Sequence, residues 1–322
     1  MKLQKQIFIG FGIIAIIIIT YQTSSSWGFW AHQRINRMAV MCLPEDMMPL
    51  YKPNIEFLTQ HAVDPDKRRN VNPDEGIRHY IDLDHYGKYP DVNMPHKWKD
   101  AEKKYSADTL NAYGIVPWYV QKMMYRLTDA FKRKDKKKIL SVSADIGHYI
   151  ADAHVPLHTS ENYNGQITNQ VGIHSFWESR VPELLGENYD YFVGKAQYIE
   201  NTQEFIWKII MESNSELDSV LTFEKMLTKE LGEDKKYGIE TINSQSVKVY
   251  SRDFAIAYNT KLNNMAERRL RTAIINVASF WYTAWVNAGQ PELNNLPDIA
   301  LKDEKSDTTD LFKNKVKIIR PH

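Results

Sequence analysis

The chain has 322 residues, of which 43% are hydrophobic and 25% are charged, and its formal net charge is +1 at pH 7. This composition is that of a globular protein with enough apolar residues for a buried core, which excludes a disordered or low-complexity chain. A nearly neutral chain also excludes nucleic-acid binding through bulk charge, so any polyanion must bind at a local site.

The N-terminal segment is typical of a secretory signal peptide. Lys2 and Lys5 precede an apolar run from Ile7 to Tyr21, and small residues follow at Ser24–Ser26. We therefore expect cleavage after Ser26 and export to the periplasm or beyond. The alternative is an uncleaved membrane anchor, although the run is shorter than the roughly 20 residues of a spanning helix. The predicted segments are a signal peptide at 1–26, one main domain at 27–290 and a C-terminal tail at 291–322.

The cysteine content bears on how an exported chain is stabilised. Cys42 is the only cysteine, so the chain forms no intramolecular disulfide. We expect Cys42 to be a small buried apolar residue. Bound metal is another source of stability for a protein without disulfides, because metal binding and folding are coupled.

Helical periodicity dominates the chain and predicts an all-α fold with a single multi-helical domain. Strand-like alternation is scarce. The predicted helices are Gln33–Met41, Pro117–Lys132, Ile139–Ala153, Ser175–Leu185, Asn201–Leu221 and Tyr250–Asn287. Asp64–Gly76 and Asp84–His96 are rich in Pro, Asn and Asp and are predicted to be loops. The basic run Lys132–Lys138 indicates a solvated turn between helices, with contact to a phospholipid surface as the alternative.

The most informative pattern lies in the middle of the chain, in HYIADAHVPLH and HSFWE. His148 and Asp152 are separated by one helical turn, as are His174 and Glu178, and His158 lies between the two pairs. Residues at i and i+4 share one face of an α-helix, so each pair can bind one Zn²⁺. Buried groups of this kind are costly unless they are paired or coordinate an ion. The spacing therefore predicts a multinuclear zinc site, in which the two oxygens of Asp152 suit a bridge between ions.

Four residues upstream are weaker candidates for metal ligands when they are judged by spacing alone. After cleavage, Trp27 would begin the chain, and its free amine, with an unperturbed pKa of about 7.7–8.0, would chelate metal together with its own carbonyl oxygen. His32 follows at a spacing that would complete that site. Asp64 in HAVDPDKRR is equally suited to a turn, and His79 in RHYIDLD is equally suited to the surface.

Taken in order, these residues resemble the superfamily of three-zinc bacterial phospholipases C and fungal-type single-strand-specific nucleases. The matching motif is Trp27…His32…Asp64…His79…His148-x3-Asp152-x5-His158…His174-x3-Glu178. The resemblance implies a trinuclear zinc cleft with three Zn²⁺ per chain. It assigns the first zinc to Asp64, His79, His148 and Asp152. It assigns the second to the amine and carbonyl of Trp27, His32 and Asp152, and the third to His158, His174 and Glu178.

The function implied by the resemblance is that of an exported zinc-dependent phosphoesterase, phospholipase C-like, which hydrolyses a phosphodiester with a metal-bound hydroxide. Asp152 and Asp64 are the expected catalytic residues, and Asp64 would also orient the attacking water. Glu178 and the short loop after His158 are similar to the phospholipases, whereas the spacing of Trp27 and His32 is more similar to the nucleases. A single-strand nuclease or 3′-nucleotidase is therefore the first alternative, and a non-catalytic zinc-binding protein is the second.

Three further residues are candidate contacts for the substrate. Lys67 and Arg68 would reach a phosphoryl oxygen, with a solvated loop as the alternative. Tyr80 would present its ring to a nucleobase or a choline head group, with core packing as the alternative. The expected partner is the phosphodiester itself, in a phospholipid head group or in single-stranded nucleic acid or a nucleotide. A transient membrane-surface contact would accompany the first of these, and no obligate protein partner is indicated.

Overall fold

The computed structural model describes residues 28–242, 244–294 and 296. Within these residues the chain is mostly α-helical and has one two-stranded sheet, which confirms the predicted all-α fold. No helix among them is long and apolar enough to cross a membrane. The predicted signal peptide, Trp27 and most of the predicted tail lie outside the described residues.

The helices range from single turns to long helices and are joined by 3₁₀ turns and loops. The α-helices are α1 (Phe29–Val40), α2 (Met48–Tyr51), α3 (Ile55–Gln60), α4 (Asp64–Arg69), α5 (Trp98–Tyr105), α6 (Ala107–Ala112), α7 (Val116–Lys132), α8 (Lys136–Ala153), α9 (Ile173–Ser175), α10 (Val181–Leu185), α11 (Thr202–Leu231), α12 (Glu233–Lys236), α13 (Arg252–Lys261) and α14 (Met265–Asn287). Single 3₁₀ turns lie at Glu45–Met47, His61–Val63, Gly76–Arg78, Leu83–His85, Pro156–Thr159 and Gly186–Asn188, and a π-helical turn covers Phe176–Arg180. The strands are β1 (Tyr237–Ile242) and β2 (Gln245–Tyr250).

Helix α8 lies at the centre of the core. It begins where the Asp135 side chain accepts a hydrogen bond from the backbone N–H of Lys138, at 3.0 Å. Every residue from Ile146 to Ala153 is buried, which a helix tolerates only when neighbours cover all its sides. Helices α1, α7 and α14 supply that cover. Burial of a large apolar side chain such as Phe280 of α14 contributes roughly 1.5–3 kcal/mol.

Helices α1 and α8 approach each other closely at one glycine. A Cβ on Gly147 would lie 2.1 Å from Oδ1 of Asn36, so no larger residue fits without movement. Asn36 is buried, and its amide donates to the carbonyl oxygens of Ala144 at 3.1 Å and Leu58 at 3.3 Å. This contact fixes α1 against α8 one helical turn away from His32.

Two sequence predictions differ from the observed secondary structure. The predicted loop Asp64–Gly76 begins with helix α4, because Pro65 lies in the first turn, where no backbone N–H is needed. The predicted helix Tyr250–Asn287 is interrupted between α13 and α14. Asn263 and Asn264 have φ of 50° and 54°, a left-handed conformation that Asn tolerates better than most residues.

The β1–β2 hairpin was not predicted from the sequence. Its strands are antiparallel, with Tyr237 opposite Tyr250. A two-stranded hairpin is only marginally stable by itself. Its sequence pattern is therefore weak, and its stability comes from packing against the rest of the protein. That packing is the stack of Tyr250 on Phe176, with ring centroids 3.8 Å apart. Cys42 agrees with its prediction, because it is buried, and burial raises the pKa of its thiol to about 11.

Candidate metal centre

The C-terminal half of α8 supplies the centre of the site. His148 and Asp152 are both fully buried, and Nε2 of His148 lies 3.3 Å from Oδ2 of Asp152. Their i,i+4 spacing puts both side chains on one face of the helix. The other side chains of the cluster converge on this face.

Helix α1 brings His32 to the opposite oxygen of the same carboxylate. Nε2 of His32 lies 3.4 Å from Oδ1 of Asp152, and its ring is stacked on that of His148 with centroids 3.8 Å apart. His79 approaches from the turn after Gly76–Arg78, with Nδ1 2.9 Å from Oδ2 of Asp152 and 3.1 Å from Nε2 of His148. Asp152 therefore faces histidine nitrogens with both oxygens, which is the placement a bridging carboxylate needs.

Asp66, and not Asp64, is the acidic residue that α4 directs into this cluster. Oδ1 of Asp66 lies 3.6 Å from Nε2 of His148 and 3.8 Å from Nδ1 of His79, and its side chain is buried. Asp64 instead accepts hydrogen bonds from His61, at 2.5 Å, and Lys67, at 3.1 Å. Two residues along a helix differ by roughly 200° in direction, so the two carboxylates of DPD cannot serve the same site.

This placement differs from the predicted ligand set, in which Asp64 held this position. The sequence offered two acids two residues apart, and only the helical conformation of α4 distinguishes between them. Since the segment was predicted to be a loop, its periodicity could not be used.

A second cluster lies next to the first and contains His158, His174 and Glu178. Oε2 of Glu178 lies 2.9 Å from Nε2 of His174 and 3.4 Å from Nε2 of His158. Nε2 of His158 is buried and makes no hydrogen bond within the described part of the chain. Glu178 lies in the π-helical turn, a feature that often accompanies functional sites.

Backbone carbonyls orient two of the imidazoles from behind. Nδ1 of His148 lies 2.8 Å from the carbonyl oxygen of Ala62, and Nδ1 of His158 lies 2.6 Å from that of His79. A carbonyl only accepts, so Nδ1 of each ring carries a proton, and Nε2 is the nitrogen that faces the cluster. Metal-binding histidines are commonly held by such outer contacts. The donor atoms form three groups whose members lie within 4.8 Å of one another: His32, Asp66 and His148; His79, His148 and Asp152; His158, His174 and Glu178.

The charges in the cluster are strongly coupled. Burial alone would raise the pKa of the Asp152 carboxyl, but His148 and His158 nearby hold it well below its usual range. Burial lowers the pKa of His148, but the carboxylates of Asp152 and Asp66 outweigh burial and raise it to about 9. Burial is the main reason that the pKa of His79 falls well below its usual range. His79 is therefore neutral, the form in which imidazole binds metal.

The three predicted substrate contacts lie in different surroundings. The Lys67 side chain is 56% exposed and bonds to Asp64. Arg68 donates to both oxygens of Asp145, at 3.1 Å and 3.0 Å, and so belongs to an ion-pair network. Tyr80 is buried, and its backbone and ring pack closely against Gly114. These positions favour core packing for Tyr80 and a structural ion pair for Arg68 over direct contact with the substrate.

Comparisons with known proteins add little to this geometry. No family model and no curated protein matches the chain. The solved structures that are similar to it include the alpha-toxin of Clostridium absonum and that of an avian strain of Clostridium perfringens. Each has a TM-score of 0.41 and 14% sequence identity to this chain. The matched region is 84% of this chain and 65% of the toxin. This chain thus spans 65% of the length of each toxin.

Proposed function

We propose that this protein is an exported zinc-dependent phosphoesterase of the phospholipase C type. The observation that carries the proposal is the position of Asp152, which faces His32 with one oxygen and His79 and His148 with the other. An isolated buried ion pair would not need three imidazoles around one carboxylate. Asp152 would hold two adjacent metal ions together with these imidazoles, which would account for all of these contacts.

The donor set fits zinc. Imidazole nitrogen and carboxylate oxygen are its usual protein ligands outside thiolate sites. Asp66, His79, His148 and Asp152 would hold the first ion, with Asp66 in the place first assigned to Asp64. His32 and Asp152 would hold the second with the amine and carbonyl of Trp27. His158, His174 and Glu178 would hold the third.

The chemistry of such a site favours a phosphate ester. Zinc bound there would lower the pKa of a coordinated water to about 7 and stabilise negative charge on a phosphoryl oxygen. Asp66, Asp152 and Glu178 offer three negative charges, fewer than the positive charges of three divalent ions, so the site would attract an anion. Asp66 would also orient the attacking water, the role first assigned to Asp64.

The proposal includes cleavage of the signal peptide before Trp27. The start of α1 packs against the segment that carries Glu178, because a Cβ on Gly28 would lie only 2.7 Å from Oγ of Ser179. Helix α1 is therefore fixed where it brings His32 to Asp152. A free amine one residue before Gly28 would complete the ligands of the second ion, and the enzyme domain would extend from residue 27 to residue 290.

The decisive experiment uses the processed protein with zinc, assayed in parallel on phosphatidylcholine, single-stranded DNA and a 3′-nucleotide. We expect close to three zinc ions by elemental analysis and hydrolysis of phosphatidylcholine in preference to the others. Chelation should abolish hydrolysis and lower the melting temperature, because ligands that fold around metal couple binding to stability.

Each other outcome has a definite meaning. Preference for DNA or the 3′-nucleotide would assign the protein to the nuclease alternative on the same site. Three bound zinc ions with no hydrolysis of any substrate would support a non-catalytic zinc-binding protein. Hydrolysis by protein that contains no zinc would contradict the proposal.

A further inference from the structure

The loop between His158 and His174 presents two aliphatic side chains to solvent beside the second cluster. Ile167 is 65% exposed and Val171 is 58% exposed. Val171 lies three residues before His174, and three residues of extended chain span at most about 11 Å. The side chain of His174 is more exposed than those of the other two members of its cluster. The exposed aliphatic groups therefore lie at the edge of the cluster that is nearest to solvent.

Hydrogen bonds from the loop's own polar side chains hold this loop in one conformation. Oδ1 of Asn162 accepts from the backbone N–H of Ile167 at 2.8 Å, and Nδ2 of Asn162 donates to Oγ1 of Thr168 at 3.0 Å. Nε2 of Gln170 donates to the carbonyl oxygen of Leu221 in α11 at 2.8 Å. Turning Ile167 toward the core would break these bonds, so its exposure is a fixed feature of the loop.

The β1–β2 hairpin adds a third exposed aliphatic side chain near this loop. Ile239 is 77% exposed and follows Tyr237 by two residues in β1. Tyr237 is opposite Tyr250, whose ring would lie 4.0 Å from a Cβ on Gly172. A single exposed aliphatic side chain is ordinary, whereas several around one site form a contact surface. We call this set the apolar rim: Ile167, Val171 and Ile239.

The charge of the loop indicates what the apolar rim contacts. Residues 162–173 contain no Asp, Glu, Lys or Arg, although 25% of the whole chain is charged. A nucleic acid is bound through Lys and Arg side chains that neutralise its phosphates, so this loop is a poor match for one. A zwitterionic bilayer has no net charge and an apolar interior, and it suits an uncharged loop with aliphatic side chains.

The basic run Lys132–Lys138 is at the other end of α8 from the metal clusters. Lys136 begins α8 and is about 24 Å along the helix from Asp152. A membrane contact made by this run would therefore be remote from the site. The apolar rim is the surface that lies beside candidate metal ligands.

We propose that the apolar rim docks the protein on a bilayer of zwitterionic phospholipid, with the cluster of His158, His174 and Glu178 facing the head groups. Apolar side chains of interfacial segments reach about 5–10 Å into the boundary between head groups and acyl chains. This depth is comparable with the span from Val171 to His174. The inference names a phospholipid in a bilayer as the substrate, and this choice of substrate rests on the proposed function, whereas the docking itself does not.

The first experiment measures docking without turnover. The processed, zinc-loaded protein is mixed with vesicles of a phosphonate analogue of phosphatidylcholine, in which carbon replaces the ester oxygen that would be cleaved, and bound protein is separated by flotation. Burial of a large aliphatic side chain is equivalent to about tenfold or more in a binding constant. The double variant Ile167→Ser/Val171→Ser should therefore bind the vesicles about 100-fold more weakly. Ile167→Leu keeps the apolar surface and should bind as the wild type does.

Phe192→Ser is the matched control. Phe192 is 93% exposed, but its carbonyl oxygen accepts from Arg271 of α14 at 3.2 Å, so it belongs to a different segment from the loop. Its replacement also removes one exposed apolar side chain and should leave vesicle binding unchanged. Melting temperature and zinc content should match the wild type in all these variants, because each changed side chain is exposed.

The second experiment compares two forms of the same lipid. Hydrolysis of phosphatidylcholine in dilute vesicles should fall about 100-fold in the double variant, in step with docking. Hydrolysis of a short-chain phosphatidylcholine below its critical micelle concentration should be unchanged, because a monomeric lipid needs no docking surface.

Four results would overturn the inference. They are a wild-type protein that does not bind the vesicles, unchanged binding in the double variant, and an equal loss in Phe192→Ser, which would mean general apolar adsorption. The fourth is a change of self-association in the double variant with vesicle binding intact, because the apolar rim would then be an interface between copies of the chain.

Failure of the docking and failure of the proposed function give different results. A protein that docks through the apolar rim but hydrolyses no phospholipid would contradict the proposed function alone. A protein that hydrolyses monomeric phosphatidylcholine but binds vesicles independently of the apolar rim would contradict the docking alone.

Discussion

The two candidate metal clusters differ in how the chain builds them. The cluster of His158, His174 and Glu178 comes from one short stretch of sequence, around a 3₁₀ turn and a π-helical turn. The cluster around Asp152 combines α1, α4, the turn before His79 and α8, which are far apart in the chain. A local cluster can form when one segment folds, whereas the other depends on the packing of the whole core.

The position of each cluster suggests a division of roles. His174, with 11% of its side chain exposed, lies nearest to solvent, whereas the side chains of His79, His148 and Asp152 are fully buried. The local cluster is therefore more open to a substrate. The buried cluster is enclosed by core helices, so its geometry depends on contacts between them.

The largest effect is expected from Asp152→Asn. The change removes a charge that faces His32, His79 and His148 together, so two ions would lose a ligand. Loss of a group that only orients a metal ligand typically lowers activity by about 10- to 100-fold. Asp152→Asn should lower activity by more than that. Zinc content should drop from three ions toward one, measured by elemental analysis.

Glu178→Gln provides the comparison, because it affects the local cluster alone. It should remove one ion and leave the other two in place. If Asp152→Asn also lost only one ion, the proposed bridge would be wrong.

The next largest effect concerns the free amine of Trp27. A protein that keeps Met before Trp27 places the amine one residue further away, so it should bind about one zinc fewer and lose most of its turnover. Trp27→Phe with a free amine should retain most activity, because the proposed ligands are backbone atoms. Equal turnover of the extended and processed forms would remove Trp27 from the site.

The pair Asp66→Asn and Asp64→Asn tests which carboxylate of α4 is a metal ligand. Asp66 faces His148 and His79 within the buried cluster, so its replacement should weaken zinc binding there by about 10-fold or more. Asp64 lies outside the cluster, and its partly exposed pairs with His61 and Lys67 are each worth at most about 1 kcal/mol. Its replacement should leave zinc content unchanged. The reverse result would restore the sequence-based assignment.

The same contrast between local and long-range contacts explains what the sequence could predict. The spacing of His148 and Asp152, and of His174 and Glu178, follows from helical periodicity, which the residues themselves reveal. The role of Asp66 depends on the direction of one short helix in a segment rich in polar residues, where periodicity is weak. The buried carboxylate of Glu75 carries little local signal, since only its partner Arg78 is near in sequence, whereas Arg68 and Tyr149 come from α4 and α8.

The hairpin was missed for a related physical reason. Its strands are short, and their pairing is stabilised by the stack of Tyr250 on Phe176 rather than by the strand sequence. The interruption at Asn263 and Asn264 was equally hidden, because an apolar periodicity can continue across two left-handed residues. The hairpin thus depends on a contact between residues far apart in the chain, and the interruption on a backbone conformation that the apolar pattern does not reveal.

The smallest effect is expected from Gly147→Ala, which tests how the buried cluster depends on helix packing. The added Cβ would meet Oδ1 of Asn36 at 2.1 Å, so α1 would have to move away from α8. Overpacking of this kind costs about 1–3 kcal/mol, measurable by chemical denaturation. Because His32 lies on α1, zinc binding at the Asp152 cluster should weaken, while the cluster of His158, His174 and Glu178 keeps its affinity.

Gly76→Ala is the control, since a Cβ there meets nothing within 4 Å and should change stability by no more than about 0.5 kcal/mol. Equal weakening of both clusters in Gly147→Ala would mean that they depend on the core to the same extent, and the contrast between a local and a long-range site would fail.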